Sequence, residues 1–245
     1  MELLDQVALV TGAGSGIGRA VALGLAQEGA HVGIIDIDET GAEAVKKEIE
    51  ETGRKALAFK ADVSNSQQVK DTVEAVLNTF GRIDILVNCA GTMARKLVID
   101  MDKEAWDKTI DINLKGVFLC SKAVLRPMME QKSGRIVNFA SGRGVAGQKK
   151  GADYAASKGG VIAFTKSLAL EVAEYGINVN AVAPGATDTA MWRRGKSKEE
   201  IERKLAVPVL PDGIGKPEDV NGPILFLVTD ASRYITGQVI FMKTP

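Results

Sequence analysis

The 245-residue chain is poor in cysteine, histidine and aromatic side chains. Its two cysteines, Cys89 and Cys120, have neither metal-site nor redox-pair spacing, and they fit a reducing compartment. The single His31 argues against a histidine-based metal site, so no metal is expected. Aromatics make up only 5% of the chain, which leaves little surface for stacking nucleic-acid bases. Formal net charge is zero, from 31 basic and 31 acidic residues, so no global field points to nucleic acid or an anionic membrane. No run approaches the ~18 apolar residues of a membrane span. Residues 1–6 lack the basic and apolar regions of a signal peptide. A soluble cytoplasmic protein is expected, without a nucleic-acid, membrane or metal partner.

What is present is ordinary globular composition, 45% apolar and 25% charged, at a length that suits one α/β domain over 1–245. Near-continuous apolar runs at 6–11, 31–36, 55–61, 83–88, 134–140, 177–183 and 238–242 read as strands buried on both faces. Helical periodicity fills 16–27, 39–51, 66–79, 103–131, 154–174 and 217–228. Ser64-Asn65-Ser66-Gln67 has the capping-box spacing, Gly29, Gly53, Gly81 and Gly176 follow helix ends, and Pro217 suits a first helical turn. Strand and helix alternate, and right-handed crossovers then give a doubly wound, Rossmann-type α/β domain. Its sheet is seven-stranded and mostly parallel, with helices on both faces. The one long irregular stretch, 185–215, has a short helical piece near 198–205 and reads as a substrate loop or lid.

Two motifs carry chemistry. The first strand runs into Thr11-Gly12-Ala13-Gly14-Ser15-Gly16-Ile17-Gly18 and then a helix. Glycines there permit a tight turn and close approach of a pyrophosphate to backbone N–H groups, and the helix N-terminus favours its charge. Asp36 ends the second strand, eighteen residues after Gly18, where an acid binds the ribose hydroxyls of NAD and repels the 2′-phosphate of NADP. Ser15, Ile37 and Asp38 offer that phosphate no cation. In the second motif, Tyr154 and Lys158 share a helix face by their four-residue spacing. A nearby ammonium lowers a phenol's pKa, and such a pair exchanges a proton with an alcohol or carbonyl oxygen. Ser141, thirteen residues upstream, offers that oxygen a hydroxyl. Tyr175 and Tyr234 lack a lysine at this spacing.

With Thr11–Gly18, Asn88-Cys89-Ala90-Gly91, Asn113, Ser141, Tyr154, Lys158 and Pro184-Gly185 in this order, essentially the whole chain resembles the short-chain dehydrogenase/reductase family. The resemblance implies that Tyr154 is the acid/base. It implies that Lys158 lowers the Tyr154 pKa and holds the nicotinamide ribose, that Ser141 orients the substrate oxygen, and that Asn113 anchors a relay water. It places Gly12, Ser15, Gly16, Ile17, Gly18, Asp36 and Ile37 on the nucleotide, Asp62 and Val63 beside the adenine, and Asn88, Cys89, Ala90 and Gly91 along the cofactor. Pro184, Gly185, Thr187 and Thr189 match the segment that holds the nicotinamide amide. A homotetramer or homodimer is also implied. The chain departs from the family at Cys89, where asparagine is frequent, and in its ending, Phe241-Met242-Lys243-Thr244-Pro245, which lacks the usual Asp-Gly-Gly.

Loops beyond the strand ends choose the substrate. Arg95, Arg143, Lys149, Trp192 and Arg193 lie on such loops, and their charge points to an anionic group on a small-molecule alcohol or ketone. NAD-dependent dehydrogenation of a secondary alcohol, whether sugar, polyol or hydroxy acid, is the leading expectation. Its activity should rise with pH as Tyr154 ionises. The alternative within the family is a 3-oxoacyl-(acyl-carrier-protein) reductase using NADPH, against which Asp36 argues. From other classes, an NAD-binding scaffold would leave the Asn113–Ser141–Tyr154–Lys158 set without purpose. A serine hydrolase fails because His31 opens a strand at the edge opposite the ligand side.

Overall fold

The computed structural model describes residues 2–208 and 213–243. Seven strands, β1 (Val7–Thr11), β2 (His31–Asp36), β3 (Ala56–Lys60), β4 (Ile85–Asn88), β5 (Gly134–Phe139), β6 (Ile177–Ala183) and β7 (Val239–Phe241), form one sheet in the order β3-β2-β1-β4-β5-β6-β7. Every neighbouring pair is parallel. The chain works outward from β1 to β3, returns to β4 beside β1, and then works outward the other way. The reversal leaves a crevice beyond the C-terminal ends of β1 and β4, where Thr11 and Asn88 are partners in register.

Among the described residues ten α-helical segments connect the strands: α1 (Gly16–Gln27), α2 (Glu39–Glu51), α3 (Ser66–Phe80), α4 (Lys103–Ile110), α5 (Gly116–Gln131), α6 (Arg143–Ala146), α7 (Ala152–Val172), α8 (Ala190–Arg193), α9 (Lys198–Leu205) and α10 (Asn221–Val228). Side-chain alternation divides the core. Ala8 and Val10 of β1 face α1, α2 and α10, through Val21, Leu25, Val45, Ile49 and Ile224. Val7 and Leu9 face α3, α5 and α7, through Val73, Val76, Val124, Met128 and Leu168. All five β1 residues are buried, which is why this strand reads as an unbroken apolar run. Each aliphatic side chain so buried contributes ~1.5–3 kcal/mol relative to exposure.

The helix expected over 103–131 is not uniform. Between α4 and α5 the segment Asp111–Lys115 forms a π turn, and Asn113 lies in it. Such turns gather at functional sites because they re-aim side chains that a regular helix would hold in phase. The stretch at 217–228 opens as a 3₁₀ turn over Pro217–Val220 before α10. In the expected lid, α9 spans Lys198–Leu205, capped reciprocally by Ser197 and Glu200. Positions 209–212 of that lid, and Thr244 and Pro245 of the atypical ending, lie outside the described residues. The ending is tied down at Lys243, whose Nζ donates to Gly213 O. Among the described residues no helix is long and apolar enough to cross a membrane, and no group of side chains has metal-ligand geometry.

Candidate active site

The turn after β1 is shaped by what a side chain would strike. A Cβ on Gly12, which sits at φ +64°, would come within 2.7 Å of Ala90 Cα. A Cβ on Gly18 would come within 2.1 Å of Gly12 O. These glycines therefore let the turn, the start of α1 and the Cys89–Gly91 segment pack backbone to backbone. Thr11 fastens the two sides, its Oγ1 accepting from Cys89 N and Ala90 N at 3.1 Å each. Gly16 adopts φ +55°, and a Cβ there would lie 3.3 Å from Thr189 Cγ2, so the start of the 185–215 stretch rests on the turn.

Asp36 is held beside the turn. Its Oδ2 accepts from Gly14 N at 2.8 Å and its Oδ1 from Asp38 N at 2.9 Å. Each carboxylate oxygen keeps a second lone pair for a further donor. A hollow of about 240 Å³ next to it is lined by Ile37, Lys60, Ala61, Asp62 and Gln68. Val63 is buried against Gly116. Lys60, opposite Asp36 in the ladder, is a cation that motif reading passed over, but it pairs with Glu39 at 3.3 Å. The backbone cradle and the fixed acid fit an adenine dinucleotide.

The polar cluster lies beyond β4 and β5. Ser141 is 8% exposed, and its Oγ accepts from Arg143 N at 3.2 Å and shares a side-chain hydrogen bond with Tyr154. Lys158 is 4% exposed, and its Nζ donates to Phe139 O at 2.6 Å and stands 5.7 Å from the Tyr154 ring centroid. Gly144 permits this depth, because a Cβ there would meet Lys158 C at 2.7 Å and hold α6 away from α7.

The expectation of a lowered Tyr154 pKa is not met. Burial pushes the phenol above its ordinary value, and the Ser141 hydrogen bond opposes this only in part. Burial also brings Lys158 down to about 8. The lysine gives one of its three N–H groups to a backbone carbonyl, and the loss of hydration, not the four-residue spacing, sets the sign of the shift at the tyrosine. Burial likewise pushes both Cys89 and Cys120 up to about 12, which keeps them as unreactive thiols.

Asn113 is fully buried and heavily committed. Its Oδ1 accepts from Thr92 N at 2.7 Å, while its Nδ2 donates to Thr92 O at 2.9 Å and to Ser157 Oγ at 3.0 Å. Both amide hydrogens are thus used, while Oδ1 keeps one further lone pair. Asn88 is also buried, its Nδ2 donating to Asn138 Oδ1 and Ser121 Oγ inside the fold. Sequence reading missed Ser157, which links Asn113 to Tyr154 O, and Asp153, which is fully buried beside Tyr154. A serine and an aspartate in the first turns of a helix gave no local sign of these bonds.

The loop cations differ in their state. Arg193 makes two bonds to Asp188, at 2.5 and 2.7 Å, so its charge is already matched. Arg95 donates to Met191 O at 2.7 Å. Trp192 lies under Lys196, whose Nζ is 4.6 Å from the ring centroid. Arg143 and Lys149 are exposed on the stretch after Ser141. Pro184 and Gly185 follow β6. Thr187 forms a bridge to Gly215 that joins the two ends of the 185–215 stretch.

Comparison with known proteins agrees with this architecture. Residues 6–200 match the family model described as short chain dehydrogenase. The chain is 46% identical over 240 residues to a 3-oxoacyl-[acyl-carrier-protein] reductase of Synechocystis sp., covering 96% of this chain and 94% of the relative. It is 44% identical to the reductase of the same name, FabG, from Thermotoga maritima, covering 98% and 97%. It is 41% identical to the (2S)-[(R)-hydroxy(phenyl)methyl]succinyl-CoA dehydrogenase subunit BbsD of Thauera aromatica, covering 99% and 96%. Among solved structures, NAD+-bound xylitol dehydrogenase superposes with a TM-score of 0.89 at 34% identity, covering 99% of each chain. The 3-oxoacyl reductases among these relatives overturn the leading expectation of a sugar, polyol or hydroxy-acid dehydrogenase. Near-full-length identity of 40–46% runs to 3-oxoacyl reductases, the reading first set second. The physical reason for the error is that Asp36 speaks to the ribose of the cofactor and carries no information about the substrate.

Proposed function

The chain belongs to the short-chain dehydrogenase family, and we propose that it reduces a 3-oxoacyl thioester to the 3-hydroxyacyl thioester. The observation that carries this is its near-full-length identity to proteins named 3-oxoacyl reductases. The site supports the reducing direction. A reductase needs a proton donor at the carbonyl oxygen, and a phenol whose pKa burial raises stays protonated throughout the neutral range. Tyr154 donates its proton to the substrate oxygen as the carbonyl carbon becomes a carbinol, and the Ser141 hydroxyl holds that oxygen. The Lys158 ammonium stabilises the phenolate left behind and is supported by Phe139 O. Asn113 and Ser157 hold α7 against the Thr92 segment, which fixes Tyr154 in place.

When bound, a nicotinamide nucleotide would supply the hydride. Gly12, Ser15, Gly16, Ile17 and Gly18 would hold its pyrophosphate, and Ile37, Asp62 and Val63 its adenine. Ala90, Gly91, Thr187 and Thr189 would line the way to the nicotinamide. Asp36 supports NADH as the donor, since a fixed carboxylate accepts ribose hydroxyls and repels a 2′-phosphate. Phe118 and Leu170, exposed on α5 and α7, support assembly of like copies through those helices.

The test is reduction of acetoacetyl-CoA, followed by loss of nicotinamide absorbance with NADH and NADPH in parallel. Wild type is expected to prefer NADH, and Asp36→Ala to lower kcat/KM for NADH by ~10–100-fold, the weight of one or two charge-assisted hydrogen bonds. No turnover of any 3-oxoacyl thioester would refute the reaction. An NADPH preference untouched by the substitution would refute the role of Asp36 alone.

A further inference from the structure

Asp153 occupies the first turn of α7, immediately before Tyr154, and is fully buried. An acid in that position ordinarily serves the free N–H groups of its own helix. Asp153 turns away instead. Its Oδ2 accepts from Ala94 N at 3.0 Å and from the Thr109 hydroxyl at 2.7 Å. Its Oδ1 has no partner, and no ion pair with any cation is found for it among the described residues. A buried carboxylate without a counter-charge costs stability, and a local rule broken in this way marks a residue that serves position.

What it holds is the segment that follows β4. That segment is pinned at Thr92 by Asn113 and at Ala94 by Asp153. The next residue, Arg95, is one of four non-glycine residues at positive φ among the described residues, at +61°. A left-handed conformation costs a side-chain-bearing residue ~1–2 kcal/mol, so neighbouring bonds must maintain it. From there the Arg95 guanidinium reaches Met191 O in α8, 96 residues further along the chain. Trp192 O, the next carbonyl, receives Lys196 Nζ. The lid is therefore gripped from the segment that Asp153 anchors.

We propose that Asp153 and Arg95 act in series as a strap that sets the lid's position relative to Tyr154. Both are positioning residues. Asp153 fixes the Ala94–Arg95 backbone, and Arg95 carries that placement to α8. The strap rests on the functional reading above only where substrate enters, and its primary test uses none.

That test is limited trypsin digestion of the full-length protein, scoring cleavage after Arg193 and Arg194, which are exposed in the lid. Arg95→Met and Asp153→Ala are each expected to speed lid cleavage by about fivefold or more, as local opening becomes easier. Asp153→Asn keeps an acceptor oxygen for Ala94 and should remain within about twofold of wild type. Because the two residues act in series, the double variant should be cleaved no faster than the quicker single variant. Arg95→Met changes a half-buried loop side chain, so it decides the matter even if Asp153→Ala does not fold. Cleavage of Arg95→Met at the wild-type rate overturns the strap, as do independent, multiplicative effects in the double variant. With acetoacetyl-CoA, Arg95→Met should raise KM by about tenfold with a smaller change in kcat. If wild type turns over no thioester, the functional reading falls while the cleavage result still judges the strap.

Discussion

The two edges of the sheet treat buried ionisable groups in opposite ways. At the N-terminal edge they are paired. Asp84, at the foot of β4, accepts from Val7 N at 2.9 Å and from Arg82 through three contacts of 2.6–3.0 Å. The largely buried Arg54 and Arg135 reach exposed acids, Asp5 at 2.6 Å and Asp230 at 3.4 Å. His31 stacks on Phe80 there with ring centroids 5.4 Å apart, far from Ser141. At the C-terminal edge Lys158 and Asp153 are buried and Tyr154 is half-buried, with no opposite charge bound to any of them among the described residues. The first edge stabilises the fold. The second shifts the titration of its groups through burial, Tyr154 upward and Lys158 downward, and such shifts gather where chemistry is done.

The comparison can be broken from either side. The largest effect is expected from Tyr154→Phe, which removes the proposed proton donor and should lower kcat for the proposed thioester reduction by ~10²–10⁴-fold. Thermal stability and NADH affinity, measured by melting and fluorescence titration, should stay near wild type. A variant that keeps its activity would strip the C-terminal edge of its role. Asp84→Ala should do the reverse. It leaves Val7 N buried and unpaired and should cost about 2–3 kcal/mol in urea unfolding, with kcat unchanged. A stable Asp84→Ala protein with impaired turnover would reverse the assignment of the two edges.

The smallest effect lies in the pH dependence of Lys158. Its folded pKa of about 8 lies below the ordinary 10.5. Below pH 8 both folded and unfolded chains hold the proton, and the fold bears the full cost of a buried ammonium. Between these two values the unfolded chain binds more protons, so stability rises with pH. Relative to Lys158→Met, wild type should gain on the order of 1–3 kcal/mol across that window. Reduction should fall over the same window as the ammonium is lost. A stability difference that does not change with pH would show that Lys158 is not strained by burial.

Much of this was legible in residues taken a few at a time. Buried parallel strands announced themselves as apolar runs, and the glycine turn and Asp36 were found where a strand meets a helix. The π turn at Asp111–Lys115 was not legible, because Asp-Ile-Asn-Leu-Lys contains no residue that breaks a helix. Asp153 was passed over because its partners Ala94 and Thr109 lie 59 and 44 residues away. The Arg193–Asp188 pair is legible in principle, since an acid five residues before a loop arginine lies within reach of its guanidinium.

Residue types and spacings thus determined the fold class, the cofactor turn and the presence of a tyrosine–lysine pair. All three depend on local backbone geometry and hydrophobic period. Tertiary structure decided how that pair behaves. Spacing along a helix fixes which residues share a face, but not how deeply the rest of the chain buries it. Depth raises Tyr154, lowers Lys158 and leaves Asp153 to hold a distant loop. Desolvation and long-range hydrogen bonds arise only when segments far apart in sequence close over one another.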